Sequence, residues 1–106
     1  MNKVFLIGNL TKDPEAGQTN NGTTYAKFTL AVSRSHNRDE ADYFSVLAWG
    51  ALGENCAKYL TKGKKAAVLG ELQIRSYDTT DGAKRYVTEI VASEVEFLSA
   101  SGSNKE

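Results

Sequence analysis

The chain has 106 residues, enough for one domain with its own core, and its 41% hydrophobic and 25% charged residues are ordinary for a folded soluble protein. Thirteen basic residues balance thirteen acidic ones, so the net charge is zero and does not indicate a nucleic-acid binder. No apolar run approaches the roughly 20 residues that span a bilayer. The single cysteine, Cys56, excludes an internal disulfide and favours a reducing compartment, which predicts a cytoplasmic protein.

The first part of the chain has the patterns of β-strands. An apolar run at residues 4–7 predicts strand one, which ends before Pro14. A turn of the hairpin type at residues 19–22 precedes strand two, predicted over 23–33. The polar stretch that follows, residues 34–42, predicts a loop. The core face of strand two consists of Ala26, Phe28, Leu30 and Val32.

Strand three is predicted over residues 42–50, DYFSVLAWG, and its two faces differ in kind. The core stripe consists of Phe44, Val46 and Ala48. The opposite face carries Tyr43 and the only tryptophan of the chain, Trp49. Two large aromatic side chains on a face that does not line the core are either buried by a second layer or exposed to bind a partner.

The second half of the sequence predicts one helix and a long hairpin. Residues 52–60 have the spacing of a helix face, and Gly63 is placed to end that helix. Residues 65–77 and 84–92 flank the turn sequence TTDG and predict strands four and five. Residues 95–98 form either a last short strand or the tail of strand five.

About five strands with one short helix between strands three and four predict an all-β fold, the five-stranded antiparallel barrel of the oligonucleotide/oligosaccharide-binding (OB) fold. We expect this domain to span residues 1–99 and residues 100–106 to form a flexible C-terminal end. An OB fold binds ligands on the face of its strands two and three, so the aromatic face of strand three becomes the expected ligand face.

Strand four supports a ligand of the nucleic-acid type. Arg75 and Tyr77 share its outward face, close to the end of the strand. An aromatic ring offers a surface on which any base can stack, and an arginine neutralises a phosphate. The charge distribution fits as well, because the middle of the chain is mostly basic and the residues from 89 onward are mostly acidic.

The sequence resembles the bacterial-type single-stranded DNA-binding proteins from Asn2 to about Leu98. Three stretches carry the resemblance, namely NKVFLIGNLTKDPE, NNGTTYAKFTLAVSRS and KYLTKGKKAAVLGELQIRSYDTTDGAKRYVTEIVASEVEFL. The resemblance implies an OB fold that binds single-stranded DNA during replication, recombination or repair. It also implies a homotetramer built as a dimer of dimers.

The resemblance also implies site residues. Stacking positions of the family fall on four residues of this chain: His36, Tyr43, Trp49 and Tyr77. At position 36 the family commonly has a tryptophan. Basic positions similar to the phosphate contacts of the family fall on Lys62 and Arg75, with Lys3 and Lys27 as weaker candidates. Tyr25 and Tyr86 are interpreted as structural residues.

Strand one gives a separate indication of assembly. Its four residues Val4, Phe5, Leu6 and Ile7 are all apolar, so both of its faces need cover. Contact with a second subunit would provide it, which predicts at least a dimer. Many relatives end in an acidic tip that recruits proteins, whereas this sequence ends in SGSNKE, so we expect no partners recruited through such a tail.

Other classes of function find less support in the sequence. With one histidine and one cysteine there is no zinc-type cluster, and the KGKK stretch lacks the spacing of a phosphate-binding loop, so we expect no cofactor, no metal site and no enzyme. The main alternative is another kind of binding module, an OB domain that docks on proteins or structured RNA as a primosome or translation accessory would.

Overall fold

The computed structural model describes residues 1–98. Within them lie six strands and one helix: β1 (Val4–Leu10), β2 (Glu15–Gln18), β3 (Thr24–Arg34), β4 (Asn37–Trp49), α1 (Gly50–Tyr59), β5 (Lys65–Asp78) and β6 (Lys84–Phe97). The C-terminal end predicted for residues 100–106 lies outside the described residues, as does the last residue of the predicted domain 1–99.

Five of these strands form a closed barrel in the order β1-β5-β6-β4-β3, and β1 pairs again with β3 to complete the ring. The closing contact joins Asn9 to Ala31 and Leu10 to Leu30 in antiparallel register. The β4–β6 contact is parallel and short, while the other pairings are antiparallel. This architecture confirms the predicted OB barrel.

The strand β2 is absent from the sequence prediction, and it changes the count. It pairs with β3 on the side away from β4, outside the ring, with Glu15 opposite Lys27 and Gln18 opposite Thr24. Because β2 is short and mostly exposed, it lacks the alternation that would reveal it. When β2 is counted, the helix lies between the fourth and fifth strands of the chain, β4 and β5. When only the five barrel strands are counted, the helix follows the third strand, as predicted.

The loop predicted for residues 34–42 is wrong. β3 and β4 continue as one hairpin through a two-residue turn at Ser35 and His36, with Val32 opposite Asp42 and Ser33 opposite Ala41. This part of the hairpin is largely exposed on both faces, and apart from Ala41 its residues 34–42 are polar. A strand without an apolar face gives no period-2 signal and resembles a loop.

The core lies inside the ring and follows the predicted stripes. Ala26, Phe28 and Leu30 of β3 face Val46 and Ala48 of β4, and all five are buried. The helix packs across one end of the barrel, mainly against β3, with Cys56 fully buried. Burial raises the pKa of the Cys56 thiol to about 11, so the group is uncharged and poorly nucleophilic at neutral pH.

The β5–β6 hairpin extends past the barrel, and we call its outer part, residues 72–88, the arm. The arm begins after a register shift at Gly70, where an added Cβ would lie 2.3 Å from the carbonyl oxygen of Val91. Only glycine allows this close crossing of the two strands. Leu72 and Ile74 share the alternation of buried Val68, but both are exposed because no layer covers the arm.

Candidate nucleic-acid interface

An aromatic pair marks the outer face of the barrel. Tyr25 and Trp49 lie directly opposite each other on β3 and β4, with ring centroids 5.8 Å apart and an angle of 65° between the ring planes. Gly17 on β2 lies opposite Tyr25, and a Cβ at that position would come within 2.7 Å of the Tyr25 hydroxyl. The contact with Tyr25 supports the indole of Trp49. Trp49 is still 41% exposed, so its ring is open to a ligand.

Beside this pair is a cleft between the β3–β4 surface and the base of the arm. Its volume is about 410 Å³, within the range of ligand sites in proteins. Its wall combines rings, aliphatic side chains and charged groups. The residues that line it are Tyr25, Lys27, Leu47, Trp49, Gln73, Arg75, Glu89 and Val91. We call this group of eight residues the cleft.

Arg75 and Glu89 form an ion pair in the cleft. The Arg75 Nε donates to Glu89 Oε1 at 3.1 Å. The two residues are diagonal neighbours, because Gln73 is the residue directly opposite Glu89. Arg75 is largely exposed, whereas Glu89 is only 6% exposed. A buried carboxylate thus anchors a cation at the edge of the cleft.

Two other predicted aromatics lie farther along the same face. Tyr77 lies two residues beyond Arg75 on the arm, and Tyr43 lies six residues before Trp49 on β4. At about 3.3 Å per residue, they are separated from Arg75 and Trp49 by roughly 7 Å and 20 Å along their strands. Both rings are exposed. The three aromatics Tyr43, Trp49 and Tyr77 therefore lie along one face of the molecule.

The predicted basic residues are not all brought together. Lys27 lines the cleft beside Arg75. Lys62 lies after the helix, where its backbone N–H donates to Asp13 Oδ1 at 2.8 Å, and Lys3 lies just before β1. His36 is exposed in the turn at the tip of the β3–β4 hairpin. Roles in binding for these residues, as for the other predicted site residues, stay predictions.

The hairpin tip beside His36 is fixed by ion pairs. Arg34 binds Asp42 through Nη2 at 2.9 Å and Nε at 3.2 Å, and Glu40 through Nη1 at 3.4 Å. The hydrogen bond to Asp42 raises the pKa of the Arg34 guanidinium, and the same bond lowers the pKa of the Asp42 carboxyl. Since Arg34 is engaged by two carboxylates, it is a poor candidate for a phosphate contact.

Sequence reasoning misses five of the eight cleft residues, and two of these, Tyr25 and Glu89, contact predicted site residues. The interpretation of Tyr25 as a structural residue is incomplete, because Tyr25 both supports Trp49 and lines the cleft. Its position opposite Trp49 depends on the register of β3 and β4, and alternation within one strand does not specify that register. Glu89 stands out in the sequence only as part of the acidic end of the chain. Its burial depends on the β5–β6 register and leaves no trace in local alternation.

Within residues 1–98, no three His, Cys, Asp or Glu side chains are grouped so that they could hold a metal ion. The ten-residue α1, the helix of the described part of the chain, is too short to cross a membrane.

Comparison with known proteins places this face in a family context. The model of the single-strand binding protein family matches residues 1–98. Single-stranded DNA-binding protein 3 of Clostridium acetobutylicum is 53% identical over 108 residues, a match that covers 98% of this chain and 75% of the relative. The single-stranded DNA-binding proteins of Clostridium perfringens and Halalkalibacterium halodurans are 48% and 44% identical, with 92% and 100% of this chain and 66% of each relative covered.

Proposed function

The chain belongs to the single-strand binding protein family, and from this premise we propose that it binds single-stranded DNA with little sequence preference. The observation that carries the proposal is the open Trp49 ring beside a cleft that contains two cations, Lys27 and Arg75. Bases stack on exposed rings and phosphates pair with cations, and neither contact depends on which base is present. The relatives named above are called single-stranded DNA-binding proteins, which supports the same ligand.

The mechanism we propose is passive. Unpaired bases stack on Tyr43, Trp49 and Tyr77, each for about 1–3 kcal/mol, while Arg75 and Lys27 neutralise phosphates. A base that is stacked on a ring is not available for pairing, so binding opposes reannealing and shields the strand from nucleases. This activity serves replication, recombination or repair of DNA in the cytoplasm at the nucleoid, and it requires no chemistry on the substrate.

We also propose that the chain acts as a homo-oligomer, at least a dimer and in full a tetramer built from two dimers. Phe5 and Ile7 are 64% and 46% exposed on the outer side of β1, where a second copy could cover them. Several linked binding faces would hold a long strand through high effective concentration. Sedimentation measures the assembly, and a monomer mass at micromolar concentration would refute it.

The test of DNA binding is a titration of Trp49 fluorescence with oligo-dT. We expect quenching, because stacked bases contact the indole, and an affinity that falls with salt by a slope of roughly −0.7 per neutralised phosphate. Duplex DNA of the same length should compete poorly, since its bases are not available. A protein-docking OB module, the alternative, would show neither quenching nor this dependence on salt, and shortening of a labelled strand would reveal a nuclease.

A further inference from the structure

Glu89 is an unexpected residue in a cleft that faces an anionic ligand. Its carboxylate is almost fully buried, and Oε1 accepts the hydrogen bond from Arg75 Nε. The second oxygen, Oε2, is also buried and accepts no hydrogen bond from any group of residues 1–98. Burying a carboxylate in this way costs stability, which is unusual without a functional reason.

The contact with Glu89 determines which part of Arg75 is left for a ligand. It engages Nε, and the hydrogen bonds within residues 1–98 leave Nη1 and Nη2 of this guanidinium unused. These two nitrogens form the outer edge of a rigid planar group, whose spacing matches two oxygens of a phosphate. Half of the Arg75 side chain is exposed, so this edge is accessible.

The position of this edge suits a phosphate of a strand that runs along the cleft. Arg75 and Trp49 line the same cleft, as do the aliphatic side chains of Leu47 and Val91. A strand with one base stacked on Trp49 could continue along this wall and bring another of its phosphates to the guanidinium. An arginine that is free to rotate would have to be ordered on binding, which costs affinity, whereas one already held by Glu89 would not.

We propose that Glu89 is a positioning residue for the DNA ligand: it holds Arg75 through Nε so that both terminal nitrogens bind one phosphodiester of a strand in the cleft. The inference rests on the proposed function and specifies a contact within it. Simple electrostatics predicts that an acidic side chain in the interface weakens the binding of an anion. The proposed role of Glu89 predicts the opposite, that this acidic side chain strengthens it.

The experiment compares two variants that lose the same charge. Glu89→Gln and Glu71→Gln each remove one carboxylate from the cleft-facing side of β5 and β6, but only Glu89 contacts Arg75. Binding of labelled oligo-dT is followed by anisotropy, at several salt concentrations. We expect Glu71→Gln to bind as tightly as the unmodified chain or slightly tighter, and Glu89→Gln to bind about tenfold more weakly, as for a lost charge-assisted hydrogen bond.

A double-mutant cycle separates positioning from damage to the fold. If Glu89 acts through Arg75, the loss caused by Glu89→Gln should disappear in a chain that already carries Arg75→Gln. Arg75→Lys should bind nearly as weakly as Arg75→Gln, because lysine keeps the charge but has no planar pair of donors. The inference is overturned if Glu89→Gln binds like Glu71→Gln, or if its loss persists in the Arg75→Gln background.

A measurement on the unmodified chain applies even if Glu89→Gln does not fold. The Nε–H proton of Arg75 should give a slowly exchanging NMR signal in the free protein, and the signal should persist when oligo-dT is bound. Loss of that signal on binding would mean that Arg75 leaves Glu89, and this result overturns the inference. Tight binding by Arg75→Lys would mean that the positive charge alone suffices, and this result overturns it as well. Failure of the unmodified chain to bind oligo-dT would instead refute the proposed function itself.

Discussion

The cleft and the outer side of β1 both expose large apolar side chains, but the neighbours of those side chains differ. In the cleft, Trp49 shares the wall with two cations and a buried carboxylate. On β1, Phe5 and Ile7 lie directly opposite Leu69 and Ala67 of β5, which are apolar as well.

The difference indicates what each region can bind. Flat rings next to cations match a chain of bases and phosphates, whereas aliphatic and aromatic groups next to other apolar groups match a second protein surface. Exposure of an apolar side chain therefore says little by itself, and the kinds of residue around it decide between the two kinds of partner. Two predictions test whether the two regions act independently, and two more concern the arm and the tip of the β3–β4 hairpin.

The largest effect is expected from Phe5→Lys on β1. If two copies pack these strands together about a twofold axis, each substitution counts twice and should cost roughly 3–6 kcal/mol of association. Sedimentation should then show a lower mass, while short oligo-dT still quenches Trp49. An unchanged mass together with a native circular dichroism spectrum would mean that β1 is not the interface.

Trp49→Ala should have the opposite pattern. Loss of one stacking surface should cost about 1–3 kcal/mol of binding, measured by anisotropy of labelled oligo-dT, without a change in sedimentation mass. Tyr59→Ala is the matched control, because Tyr59 is also an exposed ring and packs on Phe97 away from the cleft. Equal losses in the two variants would argue against a special role for the cleft.

Tyr77→Ala tests how far the binding face extends along the arm. Tyr77 lies on the same side of the arm as Arg75, while Tyr86, opposite Ser76, lies on the other. We expect Tyr77→Ala to lose about 1 kcal/mol, the lower end of the stacking range, because its ring is near the tip of a hairpin. Tyr86→Ala should bind oligo-dT normally, and a loss in that variant would place the ligand on both sides of the arm.

The smallest effect concerns the tip of the β3–β4 hairpin and depends on pH. Because the hydrogen bond from Arg34 lowers the pKa of Asp42, the pair stabilises the fold above the ordinary carboxyl pKa, and this contribution is lost as the pH falls through the lowered value. Asp42→Asn should therefore lower the unfolding temperature slightly at neutral pH and leave it unchanged in strong acid. Since both groups are exposed, salt should reduce the difference, and equal shifts at both pH values would contradict the assignment.

Much of the barrel could be predicted from sequence because its strands have one buried face. The stripe Phe44, Val46 and Ala48 and the helix beginning near Leu52 both follow from local periodicity. The part of the β3–β4 hairpin from residue 37 to residue 42 has no buried face, so its sequence resembles that of a loop. The same limit explains why β2 has no signal in the sequence.

The candidate site was predictable only in part. Alternation singled out Trp49 and placed Arg75 on the outward face of its strand, and the structure brings both residues to the same cleft. The contact of Tyr25 with Trp49 depends on the register of β3 and β4, and that of Glu89 with Arg75 on the register of β5 and β6, which includes a shift at Gly70. Such a shift is set by close backbone packing, which a single sequence does not report.

The closure of the barrel has a consequence for how the protein is made. β1 lies in the ring between β3 and residues 65–70 of β5, and β5 in turn needs β6 as its other neighbour. Because β1 is synthesised before β5 and β6, its apolar side chains stay uncovered until the residues of those two strands have left the ribosome. At about 5–20 residues per second this interval lasts several seconds, during which contacts between nascent chains would favour aggregation.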